Sequence, residues 1–257
     1  MIDQVVILAG GLGTRLGRLT ETIPKPMVEI DGVPMILTIM RHFARYGVRR
    51  FVIGSGYRDV VIKGFFKDFM LSSKAVRFDL SSGEIFSSVE GQVDWEVLVV
   101  NTGVSTNTGR RVDLLREHLG GKAFFLTYGD GLSDVNLQLL CESHFNSGKA
   151  LTLTGVKAPS RYGIVEYDST NTVIAFNEKP SDTSEIINGG FMAVSNDVWK
   201  YFNGDDEMFE TGPLERMVVS GDVNVFRHQG FWQCVDTPRD LEFVTELARE
   251  GLYLWGK

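Results

Sequence analysis

A glycine-rich loop follows the first apolar run of the chain and carries the residues best suited to bind phosphate. The run is Val5–Ala9, and Gly10, Gly11 and Gly13 follow it, with Arg15 two residues later. Glycines let backbone N–H groups approach phosphate oxygens without interference from a Cβ atom. An arginine adds a planar fork of donors that matches a pyrophosphate. The loop therefore predicts a phosphate site; a glycine-rich turn without a ligand is the alternative.

Two better-known phosphate loops do not fit this segment. The dinucleotide fingerprint requires glycine at position 16, where Leu16 stands, and no Gly-Lys-Ser/Thr of a Walker loop follows. Both of those loops also run directly into a helix, whereas Pro24 and Pro26 interrupt any regular helix here. An NAD-linked oxidoreductase is therefore disfavoured.

Lys25 is a second candidate cation for the same ligand. A residue before proline is pushed toward extended geometry, and proline fixes its own φ. Pro24-Lys25-Pro26 thus holds a positive charge on a stiff segment close in sequence to Arg15. A solvated lysine in a proline-rich turn is the alternative.

Two aspartates at the ends of apolar runs are candidate metal ligands. Asp130 lies between Gly129 and Gly131 after a hydrophobic run, and Asp236 follows a similar run. Ligands bind beyond the carboxyl ends of parallel strands, where such residues would lie. Mg²⁺ prefers oxygen ligands, usually one or two carboxylates with phosphates and water. The pair predicts a magnesium site; a turn at Asp130 and an N-cap at Asp236 are the alternatives.

The composition argues against several classes of function. The formal net charge of -7 over 257 residues disfavours a nucleic-acid-binding surface, which needs a clustered basic field. Two scattered cysteines, Cys141 and Cys234, predict neither a disulfide framework nor a zinc site. The first apolar run is too short for a signal peptide, and no membrane-length stretch follows. A cytoplasmic location without a membrane partner is expected.

Short β-branched or aromatic runs alternate with amphipathic segments along the chain, which indicates an α/β sandwich with a largely parallel sheet. With no repeat or linker, residues 1–257 are expected to form one domain. The predicted strands are Val5–Ala9, Phe51–Gly54, Val97–Asn101, Ala123–Tyr128 and Leu151–Val156. The predicted helices are Pro34–Tyr46, Arg110–Leu119, Asn136–Ser147 and Arg239–Glu250. Val76–Val89 predicts a hairpin, and its apolar positions make it a candidate contact between subunits.

Together, these motifs resemble the signature of the sugar-phosphate nucleotidyltransferases. The loop Leu8–Arg15 followed by Pro24–Met27 carries the resemblance most strongly. Within that family, essentially the whole chain resembles the branch of glucose-1-phosphate cytidylyltransferases. The supporting segments are Asn101–Gly103, Thr108–Arg111, Thr127–Gly131, Glu178–Pro180, Asn188–Phe191, Gly230–Gln233 and Asp236–Thr237.

The resemblance implies a fold, a reaction and a cofactor. The fold would be the three-layer α/β/α sandwich of the nucleotide-diphospho-sugar transferases, Rossmann-like, with a mixed, largely parallel central sheet. The reaction would join CTP to a sugar 1-phosphate, first of all α-D-glucose 1-phosphate, and release pyrophosphate. Mg²⁺ would assist in-line attack on the α-phosphate, and the chain would form a homo-oligomer.

The resemblance also implies a role for each matching residue. Arg15, Lys25 and Asp130 would be catalytic, and Asp130 and Asp236 would hold the metal. The nucleotide would be bound by Leu8, Ala9, Gly10, Gly11, Leu12, Gly13, Thr14, Arg15, Lys25, Thr106, Arg111 and Gly129. The sugar phosphate would be bound by Tyr128, Glu178, Lys179, Asn188 and Gly189.

The choice of base and acceptor depends on features that this chain lacks or changes. Thymidylyl- and uridylyltransferases of the superfamily carry a Gln-x-x-Pro-x-Gly-Leu-Ala stretch where this chain has Asn101–Arg111, which favours CTP. A uridylyl- or thymidylyltransferase is the alternative. Arg110 replaces the usual glycine of the cytidylyl pattern and adds a charge near the nucleotide. Arg161–Glu166 departs from the glucose-specific pattern, so a different phosphate or phosphonate acceptor stays open.

The expected chemistry needs no dedicated base. A phosphate monoester with a second pKa of about 6 is mostly dianionic at neutral pH, so no catalytic histidine or nucleophilic cysteine is required. Catalysis would come from positioning and charge stabilisation. A protein that binds a nucleotide sugar without the chemistry is the alternative from another class. The joint presence of the cations and both aspartates argues against it.

Overall fold

The computed structural model describes residues 2–72, 76–87, 93–157, 164–167, 169, 172–177 and 186–252. The strands are β1 Gln4–Ala9, β2 Glu29–Ile30, β3 Val33–Pro34, β4 Arg50–Ser55, β5 Val76–Asp79, β6 Glu84–Ser87, β7 Glu96–Asn101, β8 Phe124–Tyr128, β9 Gly131–Ser133, β10 Leu151–Lys157, β11 Ile164–Tyr167, β12 Val173–Asn177, β13 Ile186–Val194, β14 Val223–His228 and β15 Trp232–Cys234. The α-helices are α1 Met35–Arg45, α2 Asp59–Leu71, α3 Thr108–Leu114, α4 Leu137–Ser147, α5 Glu215–Val219 and α6 Pro238–Arg249. Short helical segments other than α-helices lie at Thr14–Thr20, Lys25–Met27, Arg116–His118, Asn196–Tyr201 and Glu210–Leu214.

A seven-stranded sheet in the order β14-β10-β13-β8-β1-β4-β7 forms the centre of the fold. Strands β8, β1, β4 and β7 pair in parallel, and so do β10 and β14. Strand β13 runs antiparallel to both of its neighbours, β8 and β10. The prediction of a mixed, largely parallel sheet is therefore confirmed.

Apolar side chains on the two faces of the sheet build two separate cores. In β1, Val5 and Ile7 point into one core, and Val6 and Leu8 point into the other, as the alternation of a strand requires. Helices α1, α4 and α6 cover the first face, and α3 and α5 cover the second. A strand that is apolar on both faces is typical of a parallel sheet between helical layers. The three-layer prediction is confirmed.

Local signals in the sequence set several helix ends. Asn136 accepts a hydrogen bond from the backbone N–H of Leu139 at 3.0 Å and caps α4, and Gly148 ends that helix at φ 63°. Thr237 caps α6 in a reciprocal pair with Asp240, and Pro238 takes the first helical position. Among the described residues, no helix is both long and apolar enough to cross a membrane.

The predicted strands and helices agree with the structure to within one or two residues at most ends. The helix predicted at Arg110–Leu119 is an exception, because α3 begins at Thr108 and ends at Leu114. Helix α2 and strand β13 were not predicted, although both are regular elements. The hairpin is present as the antiparallel pair β5 and β6, and its last two predicted residues lie outside the described part of the chain.

A separate two-stranded sheet joins two distant parts of the chain. Strand β15 pairs with β9 in antiparallel register, with Cys234 opposite Gly131. The backbone N–H of Val235 also donates to the carbonyl of Asp130 at 2.9 Å. This pairing brings Asp130 and Asp236 together across more than a hundred residues of sequence.

Candidate active site

Two cavities open at the carboxyl ends of β1, β7 and β8. The first encloses about 510 Å³ and is lined by the glycine-rich loop, Lys25 and the segment 104–108. The second encloses about 440 Å³ and is lined by the start of β13 and by β15. Arg15, Tyr128 and Asp130 line both cavities. They form one cleft with two halves that meet at these three residues.

The glycine-rich loop packs too closely against its neighbours to carry side chains at two positions. A Cβ atom on Gly10 would lie 2.0 Å from Nη1 of Arg111. Gly13 has φ of 65°, and a Cβ there would lie 2.8 Å from Cβ of Lys25. Every residue from Leu8 to Arg15 lines the first cavity, as the sequence predicts for a phosphate loop.

Arg111 is buried beneath the loop and joins the end of β4 to the segment that follows β7. Its guanidinium donates to the backbone carbonyls of Ser55 at 2.8 Å and Gly103 at 3.0 Å. It also donates to the carbonyl of Thr106 at 2.7 Å and to the hydroxyl of Thr102. Burial lowers the pKa of Arg111. The residue was predicted to bind the nucleotide, and the structure places it in the cavity wall with its hydrogen bonds directed to the protein.

Lys25 lies between the two predicted metal aspartates. Its ammonium nitrogen is 2.7 Å from Oδ2 of Asp130 and 2.5 Å from Oδ1 of Asp236. Nη1 of Arg15 lies 2.7 Å from Oδ2 of Asp236. The side chain of Lys25 is 10% exposed, whereas that of Arg15 is 71% exposed. The sequence placed both cations near phosphates, and the structure shows both paired with carboxylates.

Charge pairing outweighs burial in this cluster. Burial alone would lower the pKa of Lys25, but attraction to Asp130 and hydrogen bonds to both aspartates raise it above its ordinary value. Burial would raise the pKa of Asp236, but hydrogen bonding and attraction to Lys25, together with the charge of Arg15, lower it. Lys25 therefore stays charged, and Asp236 stays ionised, at neutral pH.

The two aspartates also fit a hard divalent cation. One ligand atom each from Asp130, Cys234 and Asp236 lies within 4.8 Å of the others. Burial and the neighbouring carboxylates raise the pKa of Cys234 to about 12. A sulfur ligand is soft, so a hard cation would prefer the two carboxylates. Two carboxylates beside a phosphate-sized cavity are the donor set that Mg²⁺ prefers. Asp236 precedes the helix cap rather than forming it, because Thr237 is the N-cap of α6.

The second cavity contains the described residues predicted to hold a sugar phosphate. Asn188 and Gly189 line it beside Tyr128, and Trp232 donates from its indole nitrogen to the carbonyl of Gly189 at 2.7 Å. Gly190 has φ of 78°, and a Cβ there would lie 2.7 Å from the ring of Tyr128. The predicted residues Glu178 and Lys179, like 161–163, lie outside the described part of the chain.

Glu210 supports two residues that line the cleft, and the sequence did not indicate it. One of its carboxylate oxygens accepts from the hydroxyl of Tyr128, and the other accepts from the hydroxyl of Thr108 at 3.0 Å. Burial and the carboxylate of Glu210 raise the pKa of Tyr128, so the phenol stays protonated. Glu210 begins a single turn of widened helix, and no local motif distinguishes it from the other acidic residues of its segment.

Thr106 and Gly129, which were predicted to bind the nucleotide, both line the first cavity.

Arg110 does not add a free charge to the cleft. Its guanidinium pairs with Asp113 at 2.5 Å, and Arg110 is not among the described residues that line either half of the cleft. The extra charge expected near the nucleotide is therefore compensated within α3.

The contact between Gly10 and Arg111 generates a stability prediction. Gly10→Ala places a methyl group on the buried guanidinium and should lower the free energy of unfolding by about 1–3 kcal/mol. Gly11→Ala is the matched control, because its Cβ would meet no atom within 4 Å, and its effect should stay within about 0.5 kcal/mol. Urea unfolding of both variants measures the difference, and equal stabilities would contradict this account of the loop.

Comparisons of sequence find similar proteins over nearly the whole chain. Residues 4–251 match the family model described as nucleotidyl transferase. A "probable glucose-1-phosphate cytidylyltransferase" of Bacillus subtilis (strain 168) is 37% identical over 254 residues, which cover 98% of each chain. The glucose-1-phosphate cytidylyltransferase of Salmonella typhi is 36% identical over 253 residues, again covering 98% of each.

A comparison of structures supports the fold. The crystal structure of HddC from Yersinia pseudotuberculosis complexed with GMP-PN superposes with a TM-score of 0.68 at 24% identity. The match covers 95% of this chain and 99% of the other. At that identity the likeness concerns the arrangement of sheet and helices.

Proposed function

This chain belongs to the nucleotidyl transferase family, and we propose that it transfers the cytidylyl group of CTP to a sugar 1-phosphate, releasing pyrophosphate. The likeness to two glucose-1-phosphate cytidylyltransferases over 98% of their length supports CTP as the donor and glucose 1-phosphate as the first acceptor to test. The product would be the CDP-sugar.

One observation carries the proposal: two cavities of different character meet at Arg15, Tyr128 and Asp130. A glycine-rich phosphate loop lines one half, and Asn188, Gly189 and Trp232 line the other. A transfer between two bound substrates needs this arrangement, because the attacking oxygen must approach the phosphorus opposite the leaving group.

The residues of the cleft have separable roles in this reaction. Backbone N–H groups of the loop after β1 and the guanidinium of Arg15 would hold the triphosphate and stabilise the leaving pyrophosphate. Lys25 would offset charge at the α-phosphate. Asn188 and Gly189 would orient the acceptor, whose phosphate is already dianionic and needs no base. A role for Glu178 and Lys179 in binding that phosphate stays a prediction.

We further propose that Asp130 and Asp236 hold Mg²⁺. Bound there, the ion would neutralise charge on the reacting phosphates. Cys234 would stay a neutral neighbour that donates its thiol proton toward Asp236.

The test is pyrophosphate release with Mg²⁺ and glucose 1-phosphate, run in parallel with CTP, UTP, dTTP, ATP and GTP. Release with CTP alone is expected. Release with UTP or dTTP instead would favour a uridylyl- or thymidylyltransferase.

Asp130→Asn, which keeps the size and shape of the side chain, should lower turnover by about 10²-fold or more and controls for contaminating activity. If glucose 1-phosphate gives no pyrophosphate release and another phosphate or phosphonate does, the proposed acceptor is wrong. If no pair of nucleotide and acceptor releases pyrophosphate, the proposed enzyme activity is wrong.

Glu210 should act as a positioning residue for the same reaction. Glu210→Ala frees the hydroxyl of Tyr128 and the start of α3, so kcat should fall about 10–100-fold while the KM for CTP changes little. Glu210→Gln keeps an acceptor oxygen and should stay within about threefold of the parent.

Tyr128→Phe supplies the control for this coupling. Added to Glu210→Ala, it should cost little more, because the two residues act as one unit. Fully additive losses in kcat would show that Tyr128 and Glu210 act separately and would contradict the positioning role.

We also propose a cytoplasmic homo-oligomer. Cys141 and Cys234 are free thiols in the structure, which suits a reducing compartment. Leu80 at the tip of the β5–β6 hairpin is 92% exposed, which supports the hairpin as a contact between subunits. Light scattering at micromolar concentration should show an oligomer that Leu80→Asp weakens; a monomer would contradict the assembly.

A further inference from the structure

The carboxylates that suit a metal already have two cations as partners. Both oxygens of Asp236 and one oxygen of Asp130 face an ammonium or guanidinium at 2.5–2.7 Å. The formal charges of Lys25 and Arg15 balance those of the two aspartates. A divalent ion that bound here alone would leave the cluster with two excess positive charges, and the protein surroundings screen them poorly.

The two cations also line the half of the cleft that holds the phosphate loop. Lys25 and Arg15 both border the first cavity, so a triphosphate bound there would compete with the carboxylates for them. The side chain of Arg15 is largely exposed, so it can move between the carboxylate of Asp236 and the oxygens of a bound triphosphate at little cost. Lys25 is on the rigid Pro24-Lys25-Pro26 segment, and its ammonium reaches the aspartates from beneath the loop.

We propose that Lys25 and Arg15 are resident counter-ions of the metal site, so that the cleft binds a divalent cation weakly alone and tightly together with a nucleoside triphosphate. The triphosphate supplies the negative charge that the metal requires, and the metal supplies the positive charge that the aspartates lose. This inference rests on the proposed nucleotide and metal sites. Because such coupling is reciprocal, the metal must raise nucleotide affinity by the same factor.

The inference predicts that removal of Lys25 raises metal affinity, which is the opposite of what a purely structural role predicts. If Lys25 only stabilised the fold of the cleft, its removal would leave metal affinity unchanged or lower. If Lys25 competes with the metal, its removal leaves two carboxylates without their shared cation and raises metal affinity in the absence of nucleotide. The opposite signs make the two roles separable without any measurement of turnover.

The experiment is Mn²⁺ binding to the full chain, followed by the electron paramagnetic resonance signal of free Mn²⁺. Without nucleotide, Lys25→Met should bind Mn²⁺ more tightly than the parent, by a factor within the range of about 5–150 typical of coupled sites. With α,β-methylene-CTP, and after subtraction of the Mn²⁺ that the analogue binds without protein, the parent should gain Mn²⁺ affinity by a similar factor, and Lys25→Met should gain much less. Lys63→Met is the matched control, because Lys63 pairs with Asp59 at 2.6 Å on α2, and its Mn²⁺ affinity should equal that of the parent.

A second variant covers the case in which Lys25→Met does not fold, which thermal unfolding would show. Arg15→Gln removes the exposed cation from Asp236 and should also tighten Mn²⁺ without nucleotide, by a smaller factor. Unchanged or weaker Mn²⁺ binding in the folded variants overturns the inference, as does equal affinity of the parent with and without α,β-methylene-CTP.

The proposed function and this inference fail in different ways. Turnover of CTP without tighter Mn²⁺ binding in Lys25→Met leaves the function in place and overturns the counter-ion role. Tighter Mn²⁺ binding without turnover of CTP supports the counter-ion role and contradicts the donor.

Discussion

The active cleft depends on one buried ammonium group held between two carboxylates. Lys25 reaches Asp130 and Asp236 from the turn before β2, while the aspartates come from opposite parts of the chain. Removing one member would leave a charge in a poorly solvated place, which is costly. The pairing of β9 with β15 supplies the rigid frame, since it fixes the backbones of both aspartates before any side chain is considered. The proposed chemistry of the cleft and its stability therefore depend on the same charges.

A second buried cation organises the other half of the cleft in a different way. Arg111 has mainly backbone carbonyls as partners, and these carbonyls belong to the loops after β4 and β7 and to the segment before α3. A guanidinium can satisfy several acceptors at once because its donors form a fixed planar fork. The glycine at position 10 is needed because that fork lies directly against the loop. The shape of the glycine-rich loop therefore depends on its contact with Arg111 as well as on its own glycines.

The sequence predicted the parts of this molecule whose signals are local. The glycine-rich loop, the helices α4 and α6 and the strand β1 each have a pattern within a few neighbouring residues. Glu210 could not be found in this way, because its role depends on contacts with Tyr128 and Thr108 far away in the chain. The salt bridges of Lys25 were missed for the same reason: the sequence suggests a phosphate partner, and only the β9–β15 pairing brings the carboxylates within reach.

The reversed direction of β13 has a consequence for how such a protein can diversify. Because β13 runs against its neighbours, its first residues, including Asn188 and Gly189, lie at the edge where the other strands end. Part of the wall of the second cavity is therefore built by a strand that does not line the first cavity. Under the proposed function, substitutions at the start of β13 would change the acceptor and leave the glycine-rich loop untouched. The same sheet would then suit transferases that share a nucleotide donor and differ in the molecule they activate.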